Sequence, residues 1–485
     1  VLLWQKTFGS SGDDELQEVC MDAQGNLFGT GSTQSTVGNS SFDILVFKQD
    51  SHGNKIWSKT IGSSGQDVGV SLLINDNGNI VVLASSSSSS GIFSSNKGME
   101  DIYLITLDSQ NGALINIHGY GGSSYEVPTS FLQNEAGNYV VLGHSRSSDF
   151  DISSNLGHID LWVFETSKNG DILWERNYGG SDEDYSADLL QSTNGNYILL
   201  GHSVSYDSDF DMRNYGDFDI TLITIDRMNG DLLNSYNYGG IDADFAAGMI
   251  EMSNGNFMIT GNTFSTGVDV GKHAGFSDAW TFEINQEGEI VWQDTFGGQG
   301  SEYTALITTD TDGNPVIAGT TNSNKILGNE VLGEQNIWIT TISEDREFHS
   351  VRIIGSKAFD EVSSIIFTGK DEFVLAGATN GESTIVHELH GKTDGWLTKL
   401  RYESEETTDW NVQVHPNPVA DLLHIKGLNT NDQLRVLSNN GIEVINAIHS
   451  EGFSGIFDVS SLPSGLYHLQ IIRGAETENL KVIKL

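Results

Sequence analysis

Carboxylates are the side chains of this chain best placed to do chemistry, and they recur at fixed intervals. Asp14, Asp67, Glu126, Asp184, Asp244, Glu302 and Asp360 each stand six positions after an aromatic or Ile residue that is followed by Gly, at Phe8, Ile61, Tyr120, Tyr178, Tyr238, Phe296 and Ile354. Gathered at one mouth, such acids could hold a cation or a basic substrate. Two unit charges ~8 Å apart at an effective dielectric of ~20 repel by about 2 kcal/mol, so a bare ring would be costly. The competing role is structural, with each carboxylate accepting backbone N–H groups of the preceding Gly-Ser loop. Repetition in every unit favours that second role.

Two further stretches are dense in acids: Ser148-Asp149-Phe150-Asp151-Ile152-Ser153-Ser154-Asn155 and Asp207-Ser208-Asp209-Phe210-Asp211-Met212-Arg213-Asn214. Both contain Ser-Asp-Phe-Asp, and Asp269 precedes Asp278 by the same nine residues that separate Asp151 from Asp160. Alternating carboxylates, Asn side chains and carbonyls suit calcium, which takes roughly six to eight oxygens. Asp149, Asp151, Asp207, Asp209 and Asp211 are therefore candidate calcium ligands. Against this stands the plainer reading that Asp and Asn fold such loops through Asx-turns, and neither loop has the full EF-hand pattern. Acids such as Asp209 and Asp211, paired with a neighbour, could instead cleave glycosides, which requires two carboxyl groups at a fixed separation.

His144 and His202 occupy equivalent sites, and His387 and His390 flank Glu388-Leu389. With no third ligand at fitting spacing they read as hydrogen-bonded fillers. The chain has no H-E-x-x-H, no G-x-S-x-G, no phosphate-binding loop and no dinucleotide fingerprint. No catalytic residue is assigned.

The elements that must position these acids are short strands. The aromatic-Gly anchors are spaced 53, 59, 58, 60, 58 and 58 residues apart, a period that suits a blade of four strands plus turns. Runs rich in Val, Ile, Leu, Thr and aromatics alternate with turns ending in Gly-Asn, at Gly25-Asn26, Gly78-Asn79, Gly137-Asn138, Gly195-Asn196, Gly255-Asn256 and Gly313-Asn314. The last unit has Lys370-Asp371-Glu372 there instead. Before each third strand stands Asp43, Asp101, Asp160, Asp219, Asp278, Asn336 or Asp394, followed two residues later by Leu45, Tyr103, Trp162, Thr221, Trp280, Trp338 or Trp396. Rings of that size fill the wedge between adjacent sheets.

The two ends of the repeat complement each other. Val1–Gly12 (V-L-L-W-Q-K-T-F-G-S-S-G) matches Asn54–Gly65 (N-K-I-W-S-K-T-I-G-S-S-G), so the chain opens on a fourth strand, while the seventh unit runs from Arg401 into an acidic stretch and lacks one. Residues 1–8 are expected to complete blade seven and remove an exposed sheet edge. The expected fold is all-β: a seven-bladed β-propeller over residues 1–403, an acidic linker over 404–411, and a small Ig-like β-sandwich over 412–485. In such a ring the second-to-third loops, variable here, share one face with the repeated acids. Variable loops over a rigid scaffold are where ligands bind.

Composition narrows the partners. The formal charge is −42, and residues 410–485 hold five Lys/Arg against seven Asp/Glu, so about −40 lies before them. That field repels nucleic acid and anionic lipid and favours cations and basic protein patches. Cys20 is the single cysteine, which rules out an internal disulfide without assigning a compartment. No apolar stretch approaches the ~18 residues of a membrane-spanning helix. Residue 1 is Val inside a strand motif, so a signal peptide is expected to have been removed or to lie outside this sequence.

The C-terminal segment carries three motifs in order: Pro416-Asn417-Pro418, Gly465-Leu466-Tyr467, and the basic tail Lys481-Val482-Ile483-Lys484-Leu485. On these it resembles the type A C-terminal sorting domain of type IX secretion system cargo from Bacteroidota, with Pro416, Asn417, Pro418, Gly465, Tyr467, Lys481 and Lys484 as the motif residues. The units, with Asp-x-Trp, Asn-Gly, Trp and Gly-Gly, also look like the repeats of secreted bacterial seven-bladed propellers. The resemblance implies passage through the outer membrane, with the type IX translocon, a shuttle protein and a surface sortase as partners. A chain that still carries the domain would be the unprocessed form. The propeller is then expected to be a non-enzymatic binding or adhesion module for a protein or glycan. The alternatives are a carbohydrate-active enzyme and a passive surface-layer component.

Overall fold

The computed structural model describes residues 1–485 except 35–40, 210–213, 272–273, 327–328, 344–345, 384–385, 403–412, 416, 427–432, 439–442, 449–453 and 474–475. It divides into two units, Val1–Arg401 and Tyr402–Leu485.

The fourth blade shows how the repeat folds. Its strands, Asp184–Gln191, Tyr197–Ser203, Asp219–Ile225 and Leu232–Tyr238, pair antiparallel in chain order. The two middle strands are almost wholly buried, because neighbouring blades cover both of their faces, and they read as near-continuous apolar runs. The fourth strand is outermost and half exposed. Five further sheets repeat this order along the chain, and in each the turn between the first two strands holds a Gly at positive φ, as at Gly195 (φ 93°). Blade seven departs from this where its sequence does, closing instead with Gly369 opposite Glu372.

The seventh sheet is completed by the start of the chain. Leu2–Phe8 pairs antiparallel with Asp394–Arg401, outside Glu372–Thr379 and Asp360–Gly369. The Val1 amino group donates to Arg401 O at 2.7 Å, and Thr398 Oγ1 donates to Trp4 O at 3.2 Å. Consecutive blades pack against one another all the way round, blade seven against blade one included. On the axis lies a channel of about 470 Å³ lined by residues of all seven innermost strands, among them Glu18, Ser71, Ser130, Asp188, Gly248, Leu306 and Ser364. A register shift precedes each of those seven residues at the same place in its strand, a β-bulge repeated around the axis.

Between blades, Trp162, Trp280, Trp338, Trp396 and Tyr103 are fully buried. Trp280 stacks on Phe282 with ring centroids 4.3 Å apart and donates from Nε1 to Gln293 at 2.9 Å. Trp280→Ala is expected to cost about 3–5 kcal/mol through the cavity it opens, read as a lower midpoint in chemical denaturation.

The second unit is a two-sheet sandwich. Gln413–His415, Leu422–Lys426 and Ser454–Asp458 form one sheet; Gln433–Ser438, Glu443–Ile448, Gly465–Arg473 and Glu476–Lys484 form the other. Leu423 and Ile425 from the first sheet share one core with Leu434, Val436, Tyr467, Leu469, Ile471 and Val482 from the second.

Candidate binding face and sorting signal

The seven repeated acids open the seven innermost strands, and all are inaccessible to solvent. Each accepts hydrogen bonds from donors close by, although Asp244 receives both of its bonds on Oδ2 and its Oδ1 is left without a donor. Asp184 accepts Gly180 N–H at 2.7 Å, Ser205 Oγ at 3.1 Å and Ser203 Oγ. Glu302 accepts Gly298 N–H at 2.7 Å and Thr321 Oγ1 at 2.6 Å. Asp14, Asp67, Glu126, Asp244 and Asp360 take the equivalent N–H, four residues before them, and a hydroxyl from the end of the second strand or just beyond it. Burial pushes Asp184 and Asp244 up to about 6 although these donors pull the other way.

The described loop acids each bond a backbone N–H of a turn. Asp149 accepts Ser123 N–H at 2.8 Å and Asp151 accepts Gly121 N–H at 3.0 Å, with Lys97 in an ion pair with Asp151. Asp207 takes Ser181 N–H at 2.8 Å and Asp209 takes Gly179 N–H at 3.3 Å, one blade further on. These four fasten Gly-containing turns at two different blade junctions; Asp211 lies outside the described residues. Among the described residues no group of three or more His, Cys, Asp or Glu is placed to hold a metal ion. Phe150, Ser208 and Val268, each just before Asp151, Asp209 or Asp269, adopt φ of 55° to 62°, a left-handed conformation uncommon in residues other than Gly.

The same face carries a strip of rings whose importance the sequence reading missed. His144 contacts Tyr185, Tyr185 contacts His202 and Phe218, and His202 and Phe218 both contact Phe245. Phe245 leads to Phe264 and Phe264 to Phe276, all at centroid distances of 5.1 to 6.2 Å. Burial pushes His144 and His202 down to about 4, so both are neutral at neutral pH and pack as rings rather than cations. The outer end of the strip is open at Phe276, which is 73% exposed; on blade six Tyr303, in the position equivalent to Phe245, is 43% exposed. Tyr185 Oη donates to Glu183 at 3.1 Å, which sets a carboxylate beside a ring. A column comparison of the units contained the signal. The residue after the repeated acid is Tyr185, Phe245 and Tyr303 in three consecutive units, and Glu15, Val68, Val127 or Glu361 elsewhere.

His387 and His390 lie away from this strip. The His387 carbonyl accepts Gln5 Nε2 at 3.2 Å, and His390 Nδ1 lies 3.5 Å from Thr7 Oγ1, so both hold the closing strand. In the axial channel, enclosure raises Glu18 to about 7 and Asp188 to about 6. Each reaches into the next blade, to Leu72 N–H at 3.0 Å and Met249 N–H at 3.1 Å. The channel acids thus serve the neighbouring bulge.

In the second unit the sorting motifs come together. Asn417 donates from Nδ2 to Lys481 O at 2.7 Å and accepts Ile483 N–H at 2.9 Å, clasping the final strand. That strand pairs Lys484 with Gly465 and Val482 with Tyr467, whose hydroxyl donates to Pro463 O at 2.9 Å. Pro418 is exposed, and Pro416 lies outside the described residues.

Residues 413–485 match the family described as Secretion system C-terminal sorting domain. No curated protein matches the chain. Similar solved structures include PorZ, a surface component of the type IX secretion system of Porphyromonas gingivalis (11% identity, TM-score 0.39), aligned over 99% of this chain but 60% of PorZ. Sqt1 from Chaetomium thermophilum (11%, 0.43) aligns over 83% of this chain and 98% of its own, and a Synechocystis apocarotenoid oxygenase (12%, 0.42) over 77% and 89%. At these scores the likenesses say nothing of ligand. Among the described residues no helix is long and apolar enough to cross a membrane. The family match identifies residues 413–485 as a C-terminal sorting domain of the type IX secretion system, and the chain as a β-propeller cargo exported across the outer membrane to the cell surface or the extracellular space.

Proposed function

We propose that the propeller is a non-catalytic binding module that engages a glycan through the ring strip on its loop-bearing face, over blades four to six, once the sorting domain has delivered it. The carrying observation is the run of Tyr185, Phe218, Phe245, Phe264 and Phe276, opening to solvent at Phe276, with Tyr303 exposed at the equivalent position of the next blade. Sugar rings present apolar faces that lie on aromatic surfaces, and their hydroxyls donate to carboxylates, which abound on this acidic protein. In this reading the sorting domain is handled by the type IX translocon, a shuttle protein and a surface sortase.

A glycan array probed with the full chain tests the reading. Phe276→Ala and Tyr303→Ala together are expected to weaken the best hit by about tenfold or more. Their thermal midpoints should hardly move, because both rings are exposed. Equal binding by the double variant, or an empty array beside a protein captured from the growth medium, defeats the glycan assignment.

A further inference from the structure

At the blade junctions, the residue that opens a third strand lies beside the acid that opens the first strand of the next blade, and the Gly of the aromatic-Gly pair sits between them. A Cβ added to Gly121 would meet Asp101 Oδ1 at 2.6 Å and Glu126 Oε2 at 2.8 Å. Gly179 likewise separates Asp160 Oδ1 from Asp184 Oδ2, and Gly239 separates Asp219 Oδ1 from Asp244 Oδ2. In all three junctions Oδ2 of the third-strand Asp accepts a loop N–H, from Lys97, Leu156 or Tyr215. Oδ1 is buried without any donor and faces another carboxylate.

One junction carries an amide at this place. Between blades six and seven, a Cβ on Gly355 would meet Asn336 Nδ2 at 2.6 Å and Asp360 Oδ2 at 2.5 Å, nearly the geometry of the acid pairs. Asn336 Oδ1 accepts the loop N–H groups of Leu332 at 2.8 Å and Gly333 at 2.9 Å, and Nδ2 donates to Asp360 Oδ2 at 3.1 Å. A protonated carboxyl has the shape of that amide and supplies a donor at the same corner.

We propose that Asp101, Asp160 and Asp219 each hold a proton on Oδ1 and donate it to Glu126, Asp184 and Asp244 of the next blade, so that shared protons close three of the seven junctions and make the ring tighten on acidification. The proton belongs on the third-strand Asp because its partner already accepts an N–H and a hydroxyl, though each pair titrates as a unit. The other charged groups facing these sites are Lys97 and Asp151 at Asp101, Asp209 at Asp160, and Asp269 at Asp219. Lys97 supplies positive charge at the first junction alone. Burial, reinforced by these neighbouring carboxylates, raises Asp101 and Asp160 to about 6 and Asp219 to about 7. A carboxyl raised on folding contributes stability that is complete below its unfolded pKa of about 4 and is lost as pH rises through the folded value.

Calorimetry of the full chain between about pH 8 and about pH 5 tests this, with an expected rise in melting temperature of about 5 °C or more on acidification. Glu18 and Asp188 add to the same slope, whereas His144 and His202, held neutral by burial, oppose it as pH falls below about 6.5, so single substitutions isolate the junctions. Asp219→Asn should melt above the wild type at about pH 8 and flatten the rise, whereas Asn336→Asp should create a further pair and steepen it. An infrared band of protonated carboxyl at about pH 6, reduced in Asp219→Asn, is expected as well. An Asp219→Asn variant with the same pH slope as the wild type, or an Asn336→Asp variant whose slope is no steeper, overturns the proposal, as does absence of the band. Stabilisation by millimolar calcium at about pH 8 without the band also overturns it, in favour of a cation between the same carboxylates. If Asp219→Asn does not fold, the Asn336→Asp slope and the band decide.

Discussion

Removal of residues 1–8 is expected to lower the melting temperature of the propeller by more than ~10 °C or to leave it aggregated, a loss on the order of 5–10 kcal/mol. The segment supplies the whole outer strand of blade seven. It also fastens that blade to the first. Phe8 stacks on Phe47 with centroids 4.2 Å apart, and Trp4 Nε1 donates to Ser51 O at 3.2 Å. Thr7 Oγ1 donates to Glu388 O at 2.7 Å, holding the loop before the last strand. Without these contacts Asp394–Arg401 becomes an unpaired edge beside an opened wedge, the situation that leads sheets to aggregate. A synthetic peptide of residues 1–8 added to the truncated chain should restore part of the loss. Calorimetry reads both effects, and an unchanged midpoint would refute closure by this strand.

Deletion of residues 413–485 should have the largest effect on the cell: export is expected to fall to background, with the propeller retained in the periplasm. The sandwich has its own hydrophobic core, so the propeller's melting temperature should stay within ~2 °C of the full chain. Fusion of residues 412–485 to a reporter should confer export in a competent host. Within the domain, Asn417→Ala removes both hydrogen bonds to the final strand and should cost about 2–3 kcal/mol of domain stability together with much of the export. Fractionation with immunoblotting checks the set. Secretion of the truncated chain at the normal level would defeat the assignment.

The legible part of this protein is the part made by neighbours in sequence. Gly195 marks a hairpin because the turn needs positive φ, and the runs around it alternate or cluster as strands do. The likeness of Val1–Gly12 to Asn54–Gly65 announced that the chain opens on a fourth strand, and the pairing of Leu2–Phe8 with Asp394–Arg401 follows from it. The loop acids were harder to read. Asp149, Asp151, Asp207 and Asp209 have the spacing of a calcium loop, yet each bonds a backbone N–H of a turn about thirty residues earlier, in the preceding inter-blade connection. The same local string suits an ion or a distant turn, and the bonds to that turn appear only with the path of the chain.

By itself, then, the sequence determined the strand and turn pattern, which rests on local backbone preference and apolar runs, and through the likeness of its own units the repeat number and the open ends of the ring, while the C-terminal segment was read from its resemblance to a known family. Only the tertiary structure decided which groups meet. It set Asp160 against Asp184 across a glycine, joined Tyr185, His202 and Phe245 into one strip, and laid Asn417 on a strand 64 residues further along. Those meetings depend on how each twisted sheet is rotated and packed against the next, and the alternation of residues within a strand carries no record of that angle.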